Sequence, residues 1–310
     1  YALDWLLKNI AKDYGEDAFD GYFVFDADNI LDENYVAEMN KVFGSGYRVI
    51  TSYRNSKNYG DNWISAGYAL WFLREAKYIN NARMMLGTSC AVSGTGFLVS
   101  REVFEKNGGW KHHLLTEDIE FSTDCIVQGE RIGYCNSAII YDEQPTTFKA
   151  SWNQRLRWSK GFYQVFFNYG GKLCKNIFKK HSFAAYDMFM TIAPGVLLTL
   201  ATFAIGIAGV IYALVNPVYM NVMVHSLTET VVFALGASYV TMFTLGLITT
   251  VTEWDQIHTR NWKKIAYLFT FPVYIMTYIP ISLVALVKKI QWVPTQHNVV
   301  KTAGEIRQMQ

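Results

Sequence analysis

Gly21-Tyr22-Phe23-Val24-Phe25-Asp26-Ala27-Asp28 is the stretch that decides how this chain is read. Aromatics and a valine make its first five residues strand-like, and two carboxylates spaced two apart close it. Open α/β sheets gather ligands at the carboxyl ends of their strands. Two hard oxygen donors there, with room for waters, suit Mg²⁺ or Mn²⁺, and such an ion neutralises a nucleotide diphosphate. The following Asn29 also makes Asp-x-Asp-Asn good turn chemistry, so the cluster alone leaves a plain turn open.

Working outward, residues 1–150 read as one α/β domain. Leu3, Leu6, Leu7 and Ile10 mark a helix ahead of Gly21. Strands are expected at Arg48–Tyr53, Gly96–Val99, Ile132–Cys135 and Ser137–Tyr141. Helices are expected from Trp63 to Tyr78 and from Glu117 to Gln128, the latter stopped by Gly129. A doubly wound nucleotide-binding domain places strands ahead of its catalytic carboxylates. Only 20 residues precede Gly21, so the chain, which starts at Tyr1, is expected to lack the nucleotide-base half of such a fold. The other reading is a smaller fold that needs no such half.

Two more clusters carry chemistry. Thr116-Glu117-Asp118 sits at a helix start, where Thr is a good N-cap and acids complement the helix dipole. The functional reading makes one carboxylate, Glu117 or Asp118, a general base on an acceptor hydroxyl. Gln154-Arg155-Leu156-Arg157-Trp158 offers an amide, a fixed cation and a flat ring within about a turn and a half of helix. Arg157 can neutralise a leaving diphosphate, and Trp158 can lie against a sugar; a membrane-surface helix anchored by Arg and Trp would look similar. Ser93-Gly94-Thr95-Gly96 permits close backbone approach to a ligand, which makes Gly94, Thr95 and Gly96 acceptor-side candidates. His112 and His113 read as loop histidines.

Composition places this chemistry beside a lipid phase. Of 310 residues, 51% are hydrophobic and only 17% charged, against roughly 25% charged in soluble domains. Net charge is +2, which speaks against a broad nucleic-acid footprint. Cys90, Cys125, Cys135 and Cys174 form no Cys-x-x-Cys pair, so neither a zinc site nor a disulfide framework is indicated, and a reduced, cytosol-facing domain fits them. Residues 151–182 carry Trp158, Phe162, Val165, Phe166 and Tyr169 on one helical face, then four lysines between 172 and 180. That pattern suits helices lying at lipid headgroups. Residues 183–290 hold three uncharged stretches, Met188–Val215, Thr230–Thr252 and Ile265–Val287, each reaching the roughly 20 residues a crossing needs. Pro194, Pro272 and Pro280 predict kinks or breaks within them. The lysines at 172–180 orient the first span from the cytosol, and Arg260, Lys263 and Lys264 return the third loop there.

The three clusters in this order, followed by membrane stretches, resemble the family 2 processive β-glycosyltransferases. That group includes the hyaluronan, chitin-oligosaccharide, poly-N-acetylglucosamine and cellulose synthases. The resemblance spans about residues 20–300. It implies a GT-A fold, a UDP-sugar donor, Mg²⁺ or Mn²⁺, a growing polysaccharide acceptor and inversion at the anomeric carbon, in a multi-pass plasma-membrane protein with a cytosolic catalytic domain. It implies that Asp26 and Asp28 hold metal and diphosphate, that Asp118 is the base, and that Gln154, Arg157 and Trp158 flank diphosphate and acceptor. Residues 291–310 would be a cytosolic tail, in which Trp292-Val293-Pro294-Thr295 looks like the Trp-Gly-Thr-Arg gating segment of hyaluronan-type synthases. Trp292 and Thr295 would then reach the donor. Val-Pro replaces Gly, and Gln296-His297 replace Arg. Three full crossings would strand this tail outside, so one stretch is expected to be broken, re-entrant or interfacial, with Ile265–Val287 and Met188–Val215 the candidates.

Overall fold

The computed structural model describes residues 2–216, 218, 220–290 and 301–308. Trp292 and Thr295 lie outside the described residues. Five strands form one mixed sheet: β1 (Gly21–Val24), β2 (Ile30–Leu31), β3 (Val49–Ser56), β4 (Phe97–Ser100) and β5 (Ile132–Asp142), in the order β1-β4-β3-β5-β2. Only β3 and β5 pair in parallel; the other neighbours are antiparallel. The two expected strands at 132–141 are a single strand, whose register against β3 shifts between Ser52 and Tyr53.

Strand alternation decides which side chain meets which layer. Val49, Phe97, Val99, Ile132 and Tyr134 face the larger core. This core is closed by α3 (Trp63–Arg74) and α6 (Glu117–Gln128), with α5 (Arg101–Asn107) nearby. Ile50, Leu98 and Ile140 face the other way, onto Tyr35 and Met39 of α2 (Tyr35–Gly44). The expected N-terminal helix is α1 (Ala2–Tyr14); Leu3 and Leu7 pack on the core, whereas Leu6 is exposed. The helix read from Trp63 to Tyr78 is interrupted. It runs to Arg74, widens into a π segment over Glu75–Asn80, then continues as α4 (Asn81–Met85).

One 33-residue helix, α7 (Phe148–Lys180), links the sheet domain to the apolar helices. The side chain of Thr147 caps it by accepting from the Ala150 amide. Beyond it run α8 (Phe183–Val215) and α9 (Met220–Thr252), 33 residues each and apolar on nearly every side. The last apolar stretch, Asn261–Val287, has the composition of a span but is two helices, α10 (Asn261–Met276) and α11 (Tyr278–Val287), parted at Thr277. Taken together, the 27 residues are long and apolar enough to cross a membrane by length and composition, as are α8 and α9. A short α12 (Ala303–Arg307) returns to the sheet domain, where Arg307 pairs with Asp32 and Ile306 is fully buried.

Candidate active site

A cavity of about 1040 Å³ opens where β1 ends and continues between α7, α8 and α11. Asp26, Asp28, Gly94, Glu117, Asp118, Gln154, Arg157 and Trp158 all line it, from four separate parts of the chain. Thr95 and Gly96 do not. Thr95 is buried behind the loop: its hydroxyl accepts from the Asp26 amide at 2.9 Å and bonds Asn29. A Cβ on Gly96 would collide with Ser52 Oγ at 2.8 Å. Thr95 thus braces the Asp26–Asp28 loop, whereas Gly96 packs against Ser52 and Ile140, and neither lines the cavity.

Asp26 is an exposed residue at the cavity mouth. Its carboxyl is pushed up to about 6, first by desolvation from the neighbouring chain and then by Asp142, with Asp28 and Glu117 adding to Asp142 and Arg54 opposing. Asp28 is tied down from behind. The Lys57 ammonium, 2% exposed, donates to the Asp28 carbonyl at 2.6 Å and stands 3.5 Å from the carboxylates of both Asp28 and Glu143. Lys57 and Arg54 already neutralise part of this carboxylate cluster. A hard divalent ion of the Mg²⁺ or Mn²⁺ type would find oxygen donors in Asp26 and Asp28, although no group of three or more metal-ligating side chains occurs among the described residues.

Asp118 stands across the cavity at the first turn of α6. Its carboxyl lies above the usual aspartate range because burial disfavours its charge, a push that the Ile119 amide, Arg157 and Arg54 partly offset. A Cβ on Gly94 would lie 3.7 Å from both Asp118 Oδ2 and Arg54 Nη1, so this glycine keeps the floor between them open. Thr116 does not cap α6. Its side chain accepts no helix amide, and its hydroxyl has no partner among the described residues.

The Gln154–Trp158 cluster splits by face of α7. Trp158 stands edge-on to Tyr68 and Phe72 with ring centroids 5.6 and 6.1 Å away. Arg157 donates to the Leu115 carbonyl at 3.4 Å. Gln154 Oε1 is buried on the cavity wall with no partner among the described residues, an acceptor ready for a ligand hydroxyl. Arg155 points away from the site and is fully buried under α10.

Four charged cavity residues escaped the sequence reading: Arg54, Glu75, Asp142 and Glu143. Arg54 Nε donates to Asp142 at 3.0 Å, Nη1 donates to the Ser93 carbonyl at 2.8 Å, and the guanidinium lies 3.8 Å over the Phe72 ring. A charged residue in each of two strands otherwise buried was the available signal. Glu75 opens the π segment, and such wide turns gather at functional sites. His112 lies in the loop before α6, as read, but it is buried, with Nε2 3.1 Å from Asp124 on α6. Although burial opposes ionisation, His112 and Lys111 hold Asp124 down at about 2.

Comparison with known proteins agrees with this geometry. The model of glycosyl transferase family group 2 matches residues 23–287. Over 100 residues the chain is 32% identical to the Probable glycosyltransferase YdaM of Bacillus subtilis, covering 32% of this chain and 24% of that protein. Over 152 residues it is 25% identical to the Beta-monoglucosyldiacylglycerol synthase of a Synechocystis species, covering 49% and 32%. Over 87 residues it is 30% identical to the Poly-beta-1,6-N-acetyl-D-glucosamine synthase of Staphylococcus aureus, covering 28% and 21%. The chain thus aligns with a third or less of the length of each of these relatives. With the match running from β1 to the end of α11, the chain belongs to glycosyl transferase family group 2.

Proposed function

We propose that this chain is a membrane-bound, inverting β-glycosyltransferase that extends a β-linked polysaccharide from a UDP-sugar, UDP-N-acetylglucosamine or UDP-glucose. One observation carries the reading. A single cavity runs from the Asp26–Asp28 carboxylates, past Asp118 and Trp158, to Thr199 on α8 and Ser282 on α11. Donor chemistry sits at its domain end, and an acceptor reaches it from the membrane end. Trp71, Phe72, Trp158, Phe162, Tyr163 and Tyr278 line the way and offer ring faces to sugars.

In this mechanism Asp118 takes the proton of an acceptor hydroxyl. The freed oxygen bonds the anomeric carbon from the face opposite UDP, and the bond from that carbon to the diphosphate oxygen breaks. UDP leaves with the electron pair. Burial, by raising the Asp118 carboxyl, makes it a stronger base than an ordinary aspartate. Arg157 stands by the departing charge, and Gln154 holds an acceptor hydroxyl. A divalent ion at Asp26 and Asp28 would neutralise the diphosphate when bound. The lysines at 172, 175, 179 and 180 support a reading in which the domain faces the cytosol at a plasma membrane.

A second reading is favoured by the membrane end of the cavity, where Ile192, Val196, Leu198, Ile275 and Ile279 make aliphatic walls. Those walls suit the hydroxyl-bearing head of a lipid acceptor, such as the diacylglycerol type in the name of one relative or a polyprenyl phosphate. The test is to offer membranes containing the protein a panel of radiolabelled UDP-sugars. Label in an ethanol-insoluble, β-linkage-specific glycosidase-sensitive product supports polymerisation. Label that partitions into butanol favours the lipid acceptor, and release of no UDP from any donor rejects both.

A further inference from the structure

Gly161 lies on α7 one turn past Trp158, against the loop that ends in Thr116. A Cβ there would stand 2.5 Å from Thr116 Cγ2 and 2.9 Å from Thr116 Cβ. Carbon atoms in contact sit at about 3.5–4.0 Å, so the helix and the loop approach as closely as a glycine allows. Thr116 is buried, its hydroxyl is unpartnered among the described residues, and its side chain caps nothing. Shape against α7 is what holds that side chain.

The rest of the loop is tied to the same helix or to α6. Gln164 Oε1 accepts from the Leu115 amide at 3.2 Å, and Arg157 donates to the Leu115 carbonyl. Glu120 accepts from the amides of His113 and Leu114 at 2.8 and 2.9 Å, while its other oxygen accepts from the Tyr169 hydroxyl at 3.2 Å. Arg157, Gly161 and Gln164 are spaced four and three apart, one face of a helix.

We propose that this face of α7 is the seat that sets the position of Asp118, and that Gly161 is a positioning residue for sugar transfer. The helix that presents Gln154 and Trp158 to the acceptor also fixes, two residues before Asp118, the loop that carries the base. Acceptor platform and base therefore move as one body. A misplacement of about 1 Å in such a constellation costs on the order of a hundredfold in rate. The inference rests on Asp118 being the base proposed above.

The experiment is a double-mutant cycle in the full chain, with Gly161→Ala, Thr116→Gly and their combination in detergent or membranes. Gly161→Ala should lower kcat by about tenfold to a hundredfold, with donor KM within about twofold. In the Thr116→Gly background, where the colliding atoms are gone, the same change should cost less than about twofold. Amide hydrogen exchange over residues 113–118 should quicken in Gly161→Ala by about tenfold and recover in the double variant. If Gly161→Ala alone fails to fold, the double variant must fold and turn over. Wild-type turnover in Gly161→Ala, or an equal loss in both Thr116 backgrounds, overturns the proposal. A wild-type chain that transfers no sugar, while the exchange pattern behaves as expected, keeps the seat and rejects the assigned reaction.

Discussion

At the scale of single residues, the proposed base Asp118 and the proposed metal ligand Asp28 are held by different neighbours. Asp118 is held above the usual aspartate range by burial, so the folded chain binds its proton more tightly than the unfolded chain. Stability then falls as pH rises through the interval between the ordinary value near 3.9 and the raised one, and the full penalty stands above it. Asp118→Asn removes both the penalty and the base. It should abolish transfer by several orders of magnitude while its thermal midpoint at pH 7 equals or exceeds the wild type. The gain in midpoint should vanish below about pH 4. Turnover at the wild-type rate would remove Asp118 from its role. Asp28 differs, since Lys57 grips its carbonyl as well as its carboxylate. Asp28→Asn keeps the carbonyl contact, so the fold should hold while Mg²⁺- or Mn²⁺-dependent turnover is lost. Full activity of the wild type in excess chelator would sink the metal role.

At the scale of elements, α7 does more than join the sheet domain to the apolar helices. Its cations cap both halves of the broken apolar stretch. Arg155, 0% exposed, donates to the Tyr274 carbonyl at 3.0 Å and to Thr277 Oγ1 at 2.6 Å, at the end of α10. Lys160 donates to the Ala285 and Leu286 carbonyls at 3.0 and 3.2 Å, at the end of α11. Helix C-termini favour cations, and an unsatisfied buried carbonyl costs roughly 1–3 kcal/mol. Arg155→Met should therefore quicken hydrogen exchange across residues 274–281 and lower the thermal midpoint. Arg157→Met should leave the midpoint in place and lower turnover. The reverse pattern would mean that the two arginines had been assigned the wrong way round. Sequence reading located the Asp26–Asp28 loop, the Asp118 helix start and the Gln154–Trp158 cluster because each sits at a recognisable strand end, helix start or helical stripe. It missed Arg54 and Asp142 because a strand pattern records only which residues are apolar. The π segment at Glu75 and the break at Thr277 were hidden for a related reason. Hydropathy reports how long an apolar stretch is, whereas the Arg155 contacts that hold the break join residues 119 and 122 positions apart.

At the scale of the whole molecule, contacts at both ends of the apolar hairpin bear on which side the tail is on. Near the start of α8, Asp187 accepts from Arg83 of α4 at 2.6 Å. Just past the end of α9, Glu253 lies 3.1 Å from Lys77 of the π segment and accepts from Tyr53 of β3. Both anchors belong to the sheet domain, so α8 and α9 leave it and return to it. Among the described residues, the stretch that follows keeps contact with the sheet domain and α7. Lys263 donates to the Gly60 carbonyl at 2.5 Å, Tyr163 donates to the Ser282 carbonyl at 2.8 Å, and Arg307 reaches Asp32. Two crossings and an interfacial third stretch satisfy every one of these contacts; three crossings would break those at Asp32. We therefore expect the C-terminus on the same side of the membrane as the Asp26–Asp28 site. Three of the four cysteines are buried, so Cys174→Ser leaves a quiet background for Gln308→Cys, at an exposed position. A membrane-impermeant thiol reagent should leave Gln308→Cys unlabelled in intact cells and label it after lysis. Labelling in intact cells would place the tail outside and overturn the two-crossing arrangement.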